Sequence, residues 1–129
     1  ANASGYPEDE KLFERMHDIP YNVAAELTPD FVIEKRLMDA REFSDSPYRY
    51  HLVYFDAFTP RVQPELWTEE VFRNIHATMA PNGVLVTYSS KSDVQRILKS
   101  IGFQVDKLEG PPGKREMIRA GAHKGAFAL

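Results

Sequence analysis

The chain contains no cysteine among its 129 residues. This absence excludes disulfide bonds, thiolate metal sites and cysteine nucleophiles. The chain also lacks an uninterrupted apolar run near the roughly 18 residues that a membrane-spanning helix needs, and its first residues lack the basic and apolar regions of a signal peptide. We therefore expect a cytoplasmic protein with no membrane partner.

An excess of positive charge is also missing. Sixteen Lys and Arg residues against 19 Asp and Glu residues give a formal net charge of −3. This balance provides no overall attraction to nucleic acid, so any RNA contact must come from a local basic patch. The histidines at 17, 51, 76 and 123 have no metal-ligand spacing, so we expect no metal site.

The sequence also lacks a glycine-rich turn of the GxGxG type. Nucleotide-type cofactors in α/β sheets usually rely on such a turn between a strand and a helix, because glycine lets the backbone approach the ligand closely. The sequence therefore offers no nucleotide-binding motif of this kind.

The composition is otherwise that of a soluble globular chain, with 43% hydrophobic and 27% charged residues. By length we expect one domain over residues 1–129, with frayed ends at 1–7 and 121–129. Apolar periodicity and turn residues predict an alternation of elements. Helices are expected at 8–17, 68–79 and 91–101, and strands at 29–40, 51–56, 83–89, 103–109 and 115–120.

This order predicts an α/β fold with a mostly parallel sheet and an antiparallel pair of strands at the end of the chain. The stretch HLVYF at 51–55 is apolar throughout apart from its first residue, which suggests a strand covered on both faces. Thr68 and Ser90 are expected to cap the second and third helices. Gly102 is expected to end the third helix.

Asp56 comes directly after that apolar run. Ligands bind beyond the carboxyl ends of the strands in such sheets, so Asp56 could accept a proton or bind an amine there. An acid that merely begins a turn is about equally plausible. Asp39 ends the preceding predicted strand, on the same predicted sheet edge as Asp56, where it could accept a hydrogen bond from an adenine amino group. Beginning a turn is the better interpretation of Asp39. Tyr88 and Ser89 end the next strand.

Two further segments have two interpretations each. Phe58 and Trp67 could form an aromatic wall beside Asp56, although Trp67 also fits as the first residue of an apolar helical stripe, which we favour. The loop GPPGKRE at 110–116 could present Lys114 and Arg115 to phosphate. Its alternative is an ordinary turn with solvated charges.

Three segments together carry a family resemblance: YFDAFTPRVQPELWTEEVF at 54–72, APNGVLVTYSSKSDVQRILKSIGF at 80–103 and LEGPPGKREMIRA at 108–120. They resemble the methyltransferase domain that completes 5-methylaminomethyl-2-thiouridine at the wobble position of tRNA. ERMHDIPYN and LTPDFVIEKRLMDA are similar to the segments that precede this core in the family. The resemblance covers roughly residues 10–120.

The resemblance implies a Rossmann-like class I methyltransferase fold, S-adenosylmethionine as cofactor and tRNA as partner. It implies that Asp56 faces the cofactor and the incoming amine, which it orients or deprotonates. The other implied site residues fall into two groups. Substrate binding is assigned to Phe58, Pro60, Trp67, Lys114, Arg115 and Glu116, and cofactor binding to Asp39, Ala40, Asp56 and Tyr88.

In the family, a first strand, the glycine-rich loop and a second strand precede the segments matched here. The resemblance therefore covers the carboxyl-terminal part of the domain, and we expect weak or absent S-adenosylmethionine binding by these residues alone. Without those strands, an exposed sheet edge could recruit a second copy of the chain. The alternative function is a non-catalytic α/β module that binds RNA or a protein.

Overall fold

The computed structural model describes residues 7–44, 49–110, 112–113 and 116–123. By its contacts the chain divides into two compact units, Ala1–Met38 and Asp39–Leu129. The single domain over residues 1–129 stays a prediction from the chain length. The two units are described in turn.

The first unit contains a helix and a two-stranded sheet. Helix α1 spans Pro7–Asp18, and strands β1 (Ala24–Thr28) and β2 (Phe31–Glu34) pair antiparallel. The helix was predicted, but the long strand at 29–40 was wrong. The segment Pro29–Asp30 is a tight turn in which the Asp30 amide donates to Thr28 Oγ1, so the chain reverses there, and β1 was missed.

The second unit contains a four-stranded sheet and two helices. Its strands are β3 (Tyr50–Phe55), β4 (Met79–Thr87), β5 (Gln104–Leu108) and β6 (Met117–Gly121), and its helices are α2 (Glu69–Ala77) and α3 (Ser92–Ile101). Short 3-10 helices lie at Ala40–Glu42 and Pro64–Leu66. The strand order is β3-β4-β6-β5.

The sheet is mixed. Strands β3 and β4 are parallel, while β4 and β5 each pair antiparallel with β6. The antiparallel pair at the end of the chain is confirmed, and the parallel part is the β3–β4 pair. Strand β2 does not join this sheet, so the sequence expectation of one shared strand edge for residues 39 and 56 was wrong.

The helix boundaries follow from their caps. Thr68 is the N-cap of α2, and its Oγ1 accepts from the Val71 amide at 3.3 Å. For α3 the N-cap is Lys91, without a side-chain bond, so the prediction that Ser90 is the cap was wrong. Gly102, with φ of 119°, ends α3 as predicted, because this left-handed backbone favours glycine.

Both helices contribute to one apolar core with the sheet. Phe72, Leu85, Leu98 and Ile118 are fully buried in it. Along β3 the side chains alternate: Phe55 packs into this core, whereas Tyr54 is 74% exposed and Leu52 is exposed as well. The expectation that this strand is covered on both faces was therefore wrong.

Strand β4 contains a large bulge at the sequence PNG. It advances from Met79 to Val84 while β3 advances only from Tyr50 to Leu52. A Cβ atom on Gly83 would lie 2.8 Å from the Tyr50 carbonyl oxygen, so only glycine fits this close approach.

The last described residues are well packed. Gly121 belongs to β6, and Ala122 is fully buried, with its amide bonded to the Gly83 carbonyl at 2.9 Å. The expected fraying is therefore wrong for 121–122. Residues 1–6 and 124–129 lie outside the described residues.

Candidate active site

Asp56 lies directly after β3, where its side chain is exposed. Phe55 pairs with Thr87 at the ends of the parallel strands β3 and β4. Asp56 and Tyr88 are therefore the first residues beyond two adjacent strand ends, which is the kind of edge where α/β sheets bind ligands. This is the position that the sequence predicted for Asp56, and its catalytic role stays a prediction.

Tyr88 connects the end of β4 to the loop after β3. Its hydroxyl donates to the Ala57 carbonyl oxygen at 2.7 Å. Desolvation raises the pKa of Tyr88 above its usual value, and the negative charge of Asp56 raises it further. The Asp56 carboxylate is therefore close enough to Tyr88 to act on its ionisation.

Trp67 is a buried residue that forms a hydrogen bond with the same loop. It is 5% exposed, and its indole Nε1 donates to the Phe58 carbonyl oxygen at 2.7 Å. Its ring packs edge-on against Phe55 at 4.9 Å and Tyr88 at 6.0 Å between centroids. This burial favours the interpretation of Trp67 as a core residue, which acts on the site through the Phe58 backbone.

Gln63 is a site residue that sequence reasoning missed. Its Oε1 accepts from the Phe58 amide at 3.2 Å, so both polar groups of the Phe58 backbone have side-chain partners. The backbone N–H of Gln63 in turn donates to the Thr59 carbonyl oxygen at 2.8 Å. The sequence signal that could have indicated this role is the position of polar Gln63 between Pro60 and Pro64. The Phe58 ring itself is 71% exposed and free to meet a ligand.

Asp39 does not end a strand, because β2 ends at Glu34. It is the N-cap of the 3-10 helix Ala40–Glu42, where it accepts from the Arg41 amide at 2.9 Å and pairs with the Arg41 guanidinium at 2.6 Å. These bonds lower the pKa of Asp39 to about 2. This turn-capping role is the one that the sequence favoured, and the cofactor role of Asp39 and Ala40 stays a prediction.

The late basic loop is only partly described. Lys114 and Arg115 lie outside the described residues. Glu116 is exposed, with its carboxylate 3.9 Å from the Lys107 ammonium. Over the described ranges, no group of three His, Cys, Asp or Glu residues could hold a metal ion, and no helix there has the length and apolarity to span a membrane.

The fold and the family comparison together define the class of protein. Residues 10–123 match the model of an S-adenosyl-L-methionine-dependent methyltransferase family, and the chain belongs to that family. The structure is similar to the crystal structure of MnmC2 from Aquifex aeolicus, with a TM-score of 0.77 and 28% identity over 94% of this chain and 38% of that one. The predicted Rossmann-like methyltransferase fold is thus confirmed, and these residues form part of an MnmC-like methyltransferase domain.

Curated relatives show the same similarity over shorter stretches. The tRNA 5-methylaminomethyl-2-thiouridine biosynthesis bifunctional protein MnmC of Paraburkholderia phymatum is 37% identical over 65 residues, which is 50% of this chain and 10% of that protein. An uncharacterised protein of Methanocaldococcus jannaschii is 36% identical over 83 residues, 64% of this chain and 23% of the relative. The matched region is therefore less than a quarter of either relative.

Proposed function

We propose that this chain contributes the catalytic carboxylate, acting as a general base, of an enzyme that transfers a methyl group from S-adenosylmethionine to the aminomethyl nitrogen of a modified wobble uridine in tRNA. The observation that carries the proposal is Asp56 at the carboxyl end of β3, with the adjacent backbone held by side chains. The similarity to MnmC supports the choice of tRNA as substrate. The proposal includes a cytoplasmic location.

The residues at this edge fit a positively charged ligand. An exposed carboxylate at Asp56 is followed by the exposed ring of Phe58, and Tyr88 adds a second, partly exposed ring. Carboxylates and aromatic faces both attract cations. The cofactor is a sulfonium that supplies an electrophilic methyl group, and Asp39, Ala40, Asp56 and Tyr88 would form this chain's share of its site.

Asp56 would prepare the amine for reaction. An aminomethyl group that carries a proton has no lone pair, so it cannot attack until that proton leaves. The Asp56 carboxylate would accept the proton and hold the neutral nitrogen in place, which combines base catalysis with orientation. Phe58 and Pro60 would shape the pocket, and Lys114, Arg115 and Glu116 would lie near its mouth.

The test is Asp56→Asn in the full-length protein that contains these residues. Asparagine keeps the shape of the side chain but cannot accept the proton, so kcat for tRNA methylation should fall by on the order of 100-fold to 10,000-fold. S-adenosylmethionine affinity, measured by isothermal titration, should stay nearly unchanged. The matched control is Glu14→Gln, which removes an exposed carboxylate on α1.

Unaltered turnover of the Asp56→Asn variant would refute the role of Asp56. A wild-type protein that binds tRNA but transfers no methyl group would instead support the alternative of a non-catalytic binding module. The two outcomes are separable because the first retains enzyme activity and the second never has it.

A further inference from the structure

A cavity of about 630 Å³ lies beside the loop that follows Asp56. We call it the cationic cavity. Its loop side is formed by Pro60, Arg61, Pro64 and Trp67, and the start of α3 contributes Lys91 and Arg96. None of the site roles above uses its cations.

The charge of this cavity is opposite to that of the chain. Three of its lining residues are cations and one, Asp93, is a carboxylate, whereas the whole chain has a net charge of −3. Asp93 pairs with Arg96 at 3.1 Å. Arg61 and Lys91 have no ion pair with any residue that the structure describes. Two cations without acidic partners in one cavity are suited to an anion.

The cavity is tied to the candidate active site through the same loop. Pro60 lies four residues after Asp56, a stretch that spans at most about 14 Å. Trp67 both lines the cavity and bonds the Phe58 carbonyl. An anion held here would therefore lie close to the reacting nitrogen. In a substrate that is a polynucleotide, the nearest anions are the backbone phosphates beside the modified nucleotide.

We propose that the cationic cavity binds a backbone phosphate of the RNA substrate next to the target nucleotide, through Arg61 and Lys91. This inference rests on the proposed function and adds the place where the RNA backbone is held. Its cations are different residues from Lys114 and Arg115 of the late loop, and they would fix the register of the RNA strand beside Asp56. Phosphate contacts of this kind position a substrate without reading its sequence.

The proposal predicts a change in the salt dependence of RNA binding. Each lost phosphate contact should lower the slope of log affinity against log salt by about 1. Both cations would hold the same phosphate, so the double variant Arg61→Gln/Lys91→Gln should lower this slope by about 1 and weaken binding by on the order of tenfold or more at low salt. All RNA sequences should be affected alike.

The measurement is fluorescence anisotropy of labelled tRNA with the full-length protein, from about 50 to 200 mM KCl. The matched control is Lys11→Gln/Lys99→Gln, which removes two exposed cations outside the cavity. A second variant, Arg61→Lys/Lys91→Arg, keeps both charges and should keep the wild-type slope. Equal losses in the cavity and control variants would overturn the proposal.

Two further readouts separate the outcomes. Wild-type methylation together with an unchanged salt slope in the Gln variant would overturn the cavity proposal and leave the methyltransferase function intact. A reduced slope in a protein that methylates nothing would support the cavity and refute the function. Binding of inorganic phosphate that is lost in the Gln variant, while the affinity for labelled tRNA is unchanged, would assign the cations to a small free anion and would overturn the RNA assignment.

Discussion

The position of Asp56 is fixed by hydrogen bonds to the backbone of the residues that follow it. Among the residues that the structure describes, its carboxylate has no hydrogen-bond partner, while the backbone of the next two residues is bonded by Tyr88, Gln63 and Trp67. The Asp56 carboxylate therefore remains available to a ligand, while the backbone next to it is held in place by hydrogen bonds. This combination suits a group that must accept a proton at one place.

At this residue scale, the ionisation of Tyr88 reports on Asp56. The negative charge of Asp56 adds to desolvation in raising the pKa of Tyr88. Asp56→Asn removes that charge, so the Tyr88 pKa should fall towards its ordinary value while remaining raised by desolvation. Titration of ¹³C-labelled tyrosine by NMR measures this pKa, and Tyr88→Phe assigns the signal. A Tyr88 pKa that does not respond would mean that the two groups are not neighbours.

The sequence could predict Asp56 but not Gln63. An apolar run that ends on an acid is visible in one dimension, and a parallel sheet places such strand ends together. The hydrogen bond between Gln63 and the Phe58 amide depends on how the chain folds back between Pro60 and Pro64. No periodic pattern of the sequence predicts that fold-back. The Asp39 carboxylate was misplaced for a related reason, because β2 ends at Glu34 and Asp39 instead caps the 3-10 helix Ala40–Glu42.

Among the elements, α2 and α3 show that a sequence pattern predicts a helix interior better than it predicts the N-cap residue. Thr68 and Ser90 both precede helices and both looked like caps, yet only Thr68 accepts a bond from the first turn. Ser90 instead offers its carbonyl to Gln95 Nε2 at 2.7 Å. Helix interiors were predicted well because their apolar stripes are buried, whereas the first residue of a helix depends on how the preceding chain arrives.

This difference predicts that the two alanine substitutions Thr68→Ala and Ser90→Ala change the free energy of unfolding by different amounts. Thr68→Ala should lower the free energy of unfolding by about 1 kcal/mol, because the Val71 amide loses its acceptor. Ser90→Ala should change it by less than about 0.5 kcal/mol, since no cap bond is lost. Urea unfolding followed by circular dichroism measures both. Equal costs for the two variants would contradict the assignment of the caps.

Over the whole molecule, the candidate site lies at one edge of the four-stranded sheet. Strand β3 is an edge of the four-stranded sheet, with Tyr54 and Leu52 exposed on it. Asp56 at its end is thus at the rim of this sheet. A homo-oligomer through this edge stays a prediction, since an unpaired strand can accept another strand from any chain.

The cofactor affinity of these 129 residues should differ from that of the full-length protein. The chain has no glycine-rich turn, so backbone contacts of that kind are absent from it. Two missing hydrogen bonds to charged groups, each worth about 1.5 kcal/mol, correspond to an affinity on the order of 100-fold weaker. Isothermal titration of S-adenosylmethionine into each protein measures the difference, with adenosine as the control ligand and an unfolding transition as proof that the shorter chain is folded. Equal affinities would mean that the edge beside Asp56 binds the cofactor without a glycine-rich turn, and binding by neither protein would remove the cofactor assignment.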